Sequence, residues 1–271
     1  MTGRAGGLSA VEVQTYERDG LVVPAYRLPS QQLSELRLAF EALIKANPNV
    51  PTQRLINVHM LSGGPVRGHQ RFLDLATSPD LLDLVQSVLG PDLILWNSHL
   101  FAKSSQDNRA VPWHQDGRYW GAINPLRAVT LWVALDDATA ENGAVRYFPG
   151  SHRLGARAHA ATEDNALVLN HALEDKPTDF ADTKVNALRA GQVSLHHPLL
   201  IHGSPANTSN ARRAGLALRY MPSTSLFDRT LSQPDIKSNF ATMPIILVRG
   251  VDRHGGNDFQ TGHLPNWVGT A

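Results

Sequence analysis

The segment Trp113-His114-Gln115-Asp116-Gly117 sets a histidine and a carboxylate two positions apart, and His202-Gly203-Ser204 answers it 86 residues past Asp116. Arg213 follows eleven residues after that histidine. Two imidazoles and one carboxylate hold one face of a ferrous ion and leave the other open for substrate and dioxygen. In an extended strand residues i and i+2 point the same way, so His114 and Asp116 can meet one ion while Gln115 turns aside. His202 ends the apolar run Pro198-Leu199-Leu200-Ile201 and is the expected third ligand. His196 and His197 are its nearest rivals and read as structural residues beside the strand. Arg213 supplies a fixed guanidinium that grips a carboxylate through two parallel hydrogen bonds, which lysine cannot do. Arg212 lies beside it, and strand parity lets only one of the two face inward.

A bare His-x-Asp also occurs by chance, as a surface histidine beside an aspartate in a turn. The flanking Trp113, Gly117 and Trp120 and the distant His202 and Arg213 favour the metal. Composition agrees. The chain has no cysteine and twelve histidines, so zinc-thiolate sites and thiol nucleophiles are excluded and any ion falls to His, Asp or Glu. Its 42% apolar and 18% charged residues describe a globule able to bury a core. A net charge of +1 gives no electrostatic reason to expect nucleic acid or an anionic membrane. No apolar run reaches the roughly 18 residues needed to span a bilayer. Met1 to Ala10 lacks the apolar stretch of a secretory signal, so the expected compartment is the cytoplasm.

The elements that must position these residues follow from periodicity. Residues 9–18 read as a helix capped by Ser9, running into a strand at 20–23. Ser30 is expected to cap a second helix bearing Leu33, Leu36, Phe40 and Leu43. A helical pair is expected over 70–76 and 79–89, with Pro79 in a first turn and Gly90 at the stop. From Leu93 onward, short β-branched and aromatic runs alternate with turns: 93–103, 128–135, 144–148, 192–196, 215–221 and 245–248. Strands without intervening helices predict an antiparallel sandwich or barrel. One domain over 1–271 is expected, with a helical part over about 1–90, a β-rich core over about 91–250 and a lid or insertion over 153–187.

The run from Trp113 to Gly117, Leu131-Trp132-Val133-Ala134-Leu135-Asp136-Asp137, Asn142-Gly143, Phe148-Pro149-Gly150-Ser151-His152-Arg153, the run from His197 to Ser204, and Asn207-Thr208-Ser209 leading to Arg213 resemble the phytanoyl-CoA dioxygenase family. Tyr16-Glu17-Arg18-Asp19-Gly20 is similar to that family's opening, so the resemblance covers most of 12–221. It implies a double-stranded β-helix, a jelly-roll of cupin type, that uses iron(II), 2-oxoglutarate and dioxygen. It implies His114, Asp116 and His202 as iron ligands and Arg213 as partner of the distal carboxylate of 2-oxoglutarate. It also implies Thr130 as a hydroxyl beside that carboxylate and His99 as an inward polar residue holding the other end. With Asp116 intact, the chain looks like a hydroxylase or desaturase rather than a halogenating relative.

Substrate contacts are expected from parity and proximity. Asn97 and Lys103 share the face of His99, Arg219 shares that of Arg213, and Trp120 lies just past the metal-binding turn. Asn57 and His59 are expected to close the pocket. Inward Lys103 and Arg219 together favour a small anionic substrate. Hydroxylation of an unactivated C–H bond of such a molecule is the expected reaction. The alternatives are a desaturase, epimerase or ring-forming oxidase of the same family, a non-catalytic binding protein, and a metal-dependent isomerase. Oligomeric state, monomer or homodimer, is open.

Overall fold

The computed structural model describes residues 6–61, 64–162, 164, 167–175, 183–233, 239–252 and 254–259. Helix α1 (Ala10–Asp19) starts where expected. Ser9 accepts from the Glu12 amide while the Glu12 carboxylate accepts from that of Ser9, a reciprocal cap. Strand β1 (Leu21–Val22) follows, then α2 (Ser30–Ala46), β2 (Leu55–Ile56), α3 (Gln70–Ala76) and α4 (Pro79–Leu89). Ser30 does not cap α2. Pro29 occupies that position and Ser30 is already helical, its carbonyl accepting from the Ser34 hydroxyl.

The remaining strands are β3 (Leu93–Lys103), β4 (Val111–His114), β5 (Ile123–Asn124), β6 (Val129–Ala134), β7 (Arg146–Tyr147), β8 (His159–Ala161), β9 (His171–Leu173), β10 (Lys184–Val185), β11 (Val193–His196), β12 (His202–Ser204), β13 (Arg213–Pro222), β14 (Leu226–Phe227) and β15 (Ile246–Arg249). The main sheet runs β1-β11-β6-β13-β3-β15, with β2 also on β3; a smaller sheet runs β10-β7-β12-β4. Every pairing between these strands is antiparallel. This is the mainly β, jelly-roll architecture expected.

Alternation divides the main sheet into two faces. Val129, Leu131, Val133, Val193, Leu195, Leu216, Leu218 and Tyr220 pack against Leu36, Phe40, Phe72 and Leu81 of the helices. The opposite face carries polar groups in register. His196, Thr130, Arg219 and Asn97 form one row across four strands, and Lys103 faces Arg213 at the far end of β13. One extra residue in β3 interrupts the register between Arg219 and Tyr220. This bulge lets Trp96 join an inner cluster with Ile94, Trp120 and Met221 although Asn97, next in sequence, is also inward.

The expected lid is partly a structured insertion. β8 and β9 pair as a hairpin and β10 joins the smaller sheet. Within 153–187, residues 163, 165–166 and 176–182 lie outside the described residues. No described helix is long and apolar enough to cross a membrane.

Candidate metal centre

β4 and β12 bring the two histidines together. His202 and His114 are register partners, with ring centroids 4.2 Å apart. Asp116 begins the short 3-10 turn that follows β4. Gly117 then passes so close to Leu126 and Leu199 that a Cβ would lie 2.8 and 3.0 Å from them, which fits a glycine after the carboxylate. One ligand atom each from His114, Asp116 and His202 lies within 4.8 Å of the other two, and all three residues are buried.

The donor chemistry suits a divalent ion. His114 Nδ1 lies 2.8 Å from the Pro112 carbonyl and His202 Nδ1 2.9 Å from that of Leu200. Each carbonyl takes the Nδ1 proton and leaves Nε2 as the lone-pair donor. Burial, reinforced by His114, pushes His202 down to about 3, so its imidazole is neutral. Burial would raise the Asp116 carboxyl, but Arg219 and the nearby His114 and His196 outweigh it and hold it well below the usual range. The Thr130 hydroxyl donates to Asp116 Oδ2 at 3.1 Å, and His196 Nε2 lies 3.4 Å from the same oxygen.

Arg213 is 3% exposed and Arg212 lies outside, paired with Asp136 and Glu41, so parity chose as expected. Arg213 Nη2 donates to the Gly143 carbonyl and to Ser204 Oγ, both at 3.0 Å. Its Nε has no acceptor, and among the described residues no carboxylate pairs with it. Burial pulls the guanidinium down to about 10, so it stays charged. A buried cation with an unsatisfied N–H fits a carboxylate ligand. A Cβ at Gly215 would lie 1.8 Å from the Trp132 ring, so the indole fills the space over this glycine. Trp132 thus walls the Arg213 end, 5.8 Å from its Cζ.

Three expected assignments change. Thr130 lies in the row of Arg219, six residues along β13 from Arg213, and its hydroxyl serves Asp116 rather than a carboxylate at Arg213. His59 is fully buried against Ser98, Nδ1 2.6 Å from its hydroxyl. Ser98 pairs with Leu218 on the helix-facing side of β3, so His59 stands behind the pocket wall. Lys103 faces Arg213, not Arg219. Its ammonium donates to the carbonyls of Arg109 and Ser204 at 2.9 and 3.3 Å and to that of Pro205. Burial, then Arg213, pulls it down to about 7.

Asn97, Trp120, Arg219 and Asn57 do come together. Arg219 Nη1 donates to Asn97 Oδ1 at 2.5 Å, and Asn97 Nδ2 donates to Asn57 Oδ1 at 2.9 Å. Trp120 lies 5.5 Å from the Arg219 Cζ. His99 shares their face midway along β3, against Phe101 with centroids 3.7 Å apart. His196, Trp132 and Ser204 were missed as site residues. Only the inward parity of their strands hinted at them. Gln115, between two ligands, binds the insertion: Nε2 donates to Gly155 O, Oε1 accepts from the Arg157 amide, and its own amide donates to His159 Nε2.

Comparison with known proteins agrees with this geometry. The model of the family Phytanoyl-CoA dioxygenase (PhyH) matches residues 16–215. The chain is 25% identical to L-proline trans-4-hydroxylase of Streptomyces griseoviridis over 251 residues, 86% of this chain and 93% of that protein. It is 25% identical to ectoine dioxygenase of Nocardia farcinica over 256 residues, 84% and 82% of the two. A non-heme monooxygenase solved as its ThoJ–nickel complex superposes with a TM-score of 0.67 at 25% identity, covering 94% of this chain and 89% of that one. The chain belongs to the phytanoyl-CoA dioxygenase family and is an enzyme of the iron(II)- and 2-oxoglutarate-dependent dioxygenase class.

Proposed function

We propose that the chain hydroxylates an unactivated C–H bond of a small molecule, with His114, Asp116 and His202 holding iron(II) and Arg213 anchoring 2-oxoglutarate. The carrying observation is that the buried triad and a buried, carboxylate-free arginine lie on facing sheets of one fold. Iron with 2-oxoglutarate supplies the oxidising chemistry, in which dioxygen is consumed and succinate and carbon dioxide are released.

The chain's own residues orient and exclude. Pro112 and Leu200 carbonyls fix the two imidazoles, and Thr130 fixes the carboxylate. Arg213 sets the direction of the co-substrate through its fork of N–H donors, Ser204 holds that fork, and Trp132 keeps water from it. Asn97, Arg219, Trp120 and Asn57 form the region for the molecule to be oxidised. No side chain is assigned as general base. The whole chain acts as one catalytic domain in the cytoplasm.

The name of the L-proline trans-4-hydroxylase relative supports hydroxylation, while solved structures of like fold include a carbocyclase and an epimerase, so the product must decide among these reactions. The test is a succinate-release screen over amino acids, phosphonates, acyl thioesters and secondary metabolites, with product mass recorded. Succinate release coupled to a gain of one oxygen is expected. A loss of two hydrogens would assign desaturation or ring closure, an unchanged mass would assign epimerisation, and binding without any succinate release would make the chain a binding protein.

A further inference from the structure

Arg219 is a second buried cation in the site. It is 8% exposed, faces Thr130 and Asn97 in register, and has an Nε without an acceptor. Among the described residues its hydrogen-bond acceptor is Asn97 Oδ1, a neutral amide. The charge it sees is that of Asp116, which the metal claims. An unpaired guanidinium held away from water is costly, so a site that keeps one has an anion for it.

The charges of the working site leave that place open. Iron(II), Asp116 and the two carboxylates of 2-oxoglutarate would sum to one negative charge, which Arg213 offsets. The Lys103 ammonium is met by three carbonyl oxygens at the other end of β13. Apart from that lysine, one positive charge remains, and its geometry places it at Arg219, in the row that supports the metal carboxylate.

From this, which rests on the iron and 2-oxoglutarate reading, we infer that the substrate is a monocarboxylate whose carboxyl group pairs with Arg219 and whose apolar part lies along Trp120 and Phe101. Those rings lie 5.5 and 6.0 Å from the guanidinium carbon. The planar fork suits a carboxylate in two-pronged contact. Asn97 accepts from the guanidinium without neutralising it and is itself held by Asn57, whose left-handed backbone, φ 56°, asparagine tolerates. Oxidation would then fall on carbons one ring or short chain away from the carboxyl group.

The test is anaerobic calorimetry on the iron- and 2-oxoglutarate-loaded chain with L-proline, L-pipecolate, cyclohexanecarboxylate and benzoate, each against its carboxamide. At least one acid is expected to bind more tightly than its amide by about tenfold or more. Arg219→Gln is expected to erase that preference while the visible band of the iron chelate remains, and Arg219→Lys to restore part of it. Asn97→Asp, which places a carboxylate on the same guanidinium from within, is expected to erase it too and covers the case in which Arg219→Gln fails to fold. Equal affinity for acid and amide, or no acid binding at all, would overturn the inference. So would a loss of 2-oxoglutarate affinity in Arg219→Gln with acid preference intact, because the arginine would then serve the co-substrate. Failure of the wild-type chain to bind 2-oxoglutarate is seen before any acid is added and would sink the underlying reading instead.

Discussion

Thr130 and Asp116 join the two sheets at the metal: a hydroxyl from the main sheet donates at 3.1 Å to the carboxylate that follows β4. The oxygen so held, Oδ2, is the one His196 also approaches, which would leave Oδ1, 3.6 Å from His114 Nε2, as the oxygen to hold a metal ion. Thr130→Val keeps shape and removes the donor. Outer partners of this kind are worth about 10- to 100-fold in metal affinity. Competition titration with an iron(II) chelator is expected to show weakening near the lower end of that range, since His196 remains.

Arg213→Lys tests the fork. Lysine keeps the charge but loses the planar pair of donors and the contact with Ser204. The apparent 2-oxoglutarate dissociation constant is expected to rise by about tenfold, and by about a hundredfold or more in Arg213→Gln, where the charge goes as well. Iron binding without co-substrate is expected to be unchanged in both. Equal 2-oxoglutarate affinity in all three proteins would show that the carboxylate binds elsewhere.

Much of this site was legible along single strands and little of it between them. Parity on β13 put Arg213 and Arg219 inward and Arg212 outward, because a period of two is a local property of the chain. The spacing His114-x-Asp116 worked for the same reason. Thr130 was placed at the wrong carboxylate because its neighbour depends on how β6 registers against β13, six residues away from Arg213. His59 was misplaced because a short loop carried it behind β3, a turn with no sequence period. The bulge that gathers Trp96 and Asn97 on one side, and the indole of Trp132 filling the space over Gly215, are outcomes of packing between distant segments. The insertion kept its hairpin hidden because β8 and β9 are only three residues each.

Gln115 ties residues 155 and 157 to the metal strand through the oxygen and nitrogen of its side-chain amide. Gln115→Ala removes those bonds while leaving His114 and Asp116 in place. Amide hydrogen exchange at 155–161 is expected to accelerate by about tenfold or more, with exchange in β6 and β13 unchanged. Unchanged exchange at 155–161 would mean that the hairpin is held by other contacts.

His197 gives stability a dependence on acid. Burial, then His152 and His196, lowers its pKa from 6.5 to about 4. Between these values the unfolded chain takes a proton that the folded chain refuses, so the unfolded state binds more protons and stability falls as pH falls. The contribution, on the order of 3 kcal/mol, is fully present above pH 6.5 and lost by about pH 4. His197→Asn keeps an acceptor for the Leu199 amide and removes the titration. Urea unfolding of the metal-free chain at pH 7 and pH 4.5 is expected to show a smaller difference in the variant. His202 acts in the same direction and leaves a residual slope. An identical difference in both proteins would exclude His197 as a source.

The most direct measurement is anaerobic titration of iron(II) and 2-oxoglutarate into the purified chain, followed in the visible spectrum. The account predicts a weak charge-transfer band that saturates at one iron and one 2-oxoglutarate per chain, is lost in His202→Ala and Asp116→Ala, and needs far more 2-oxoglutarate in Arg213→Gln. A wild-type chain that gives no band, or a band that survives removal of either ligand, would contradict it.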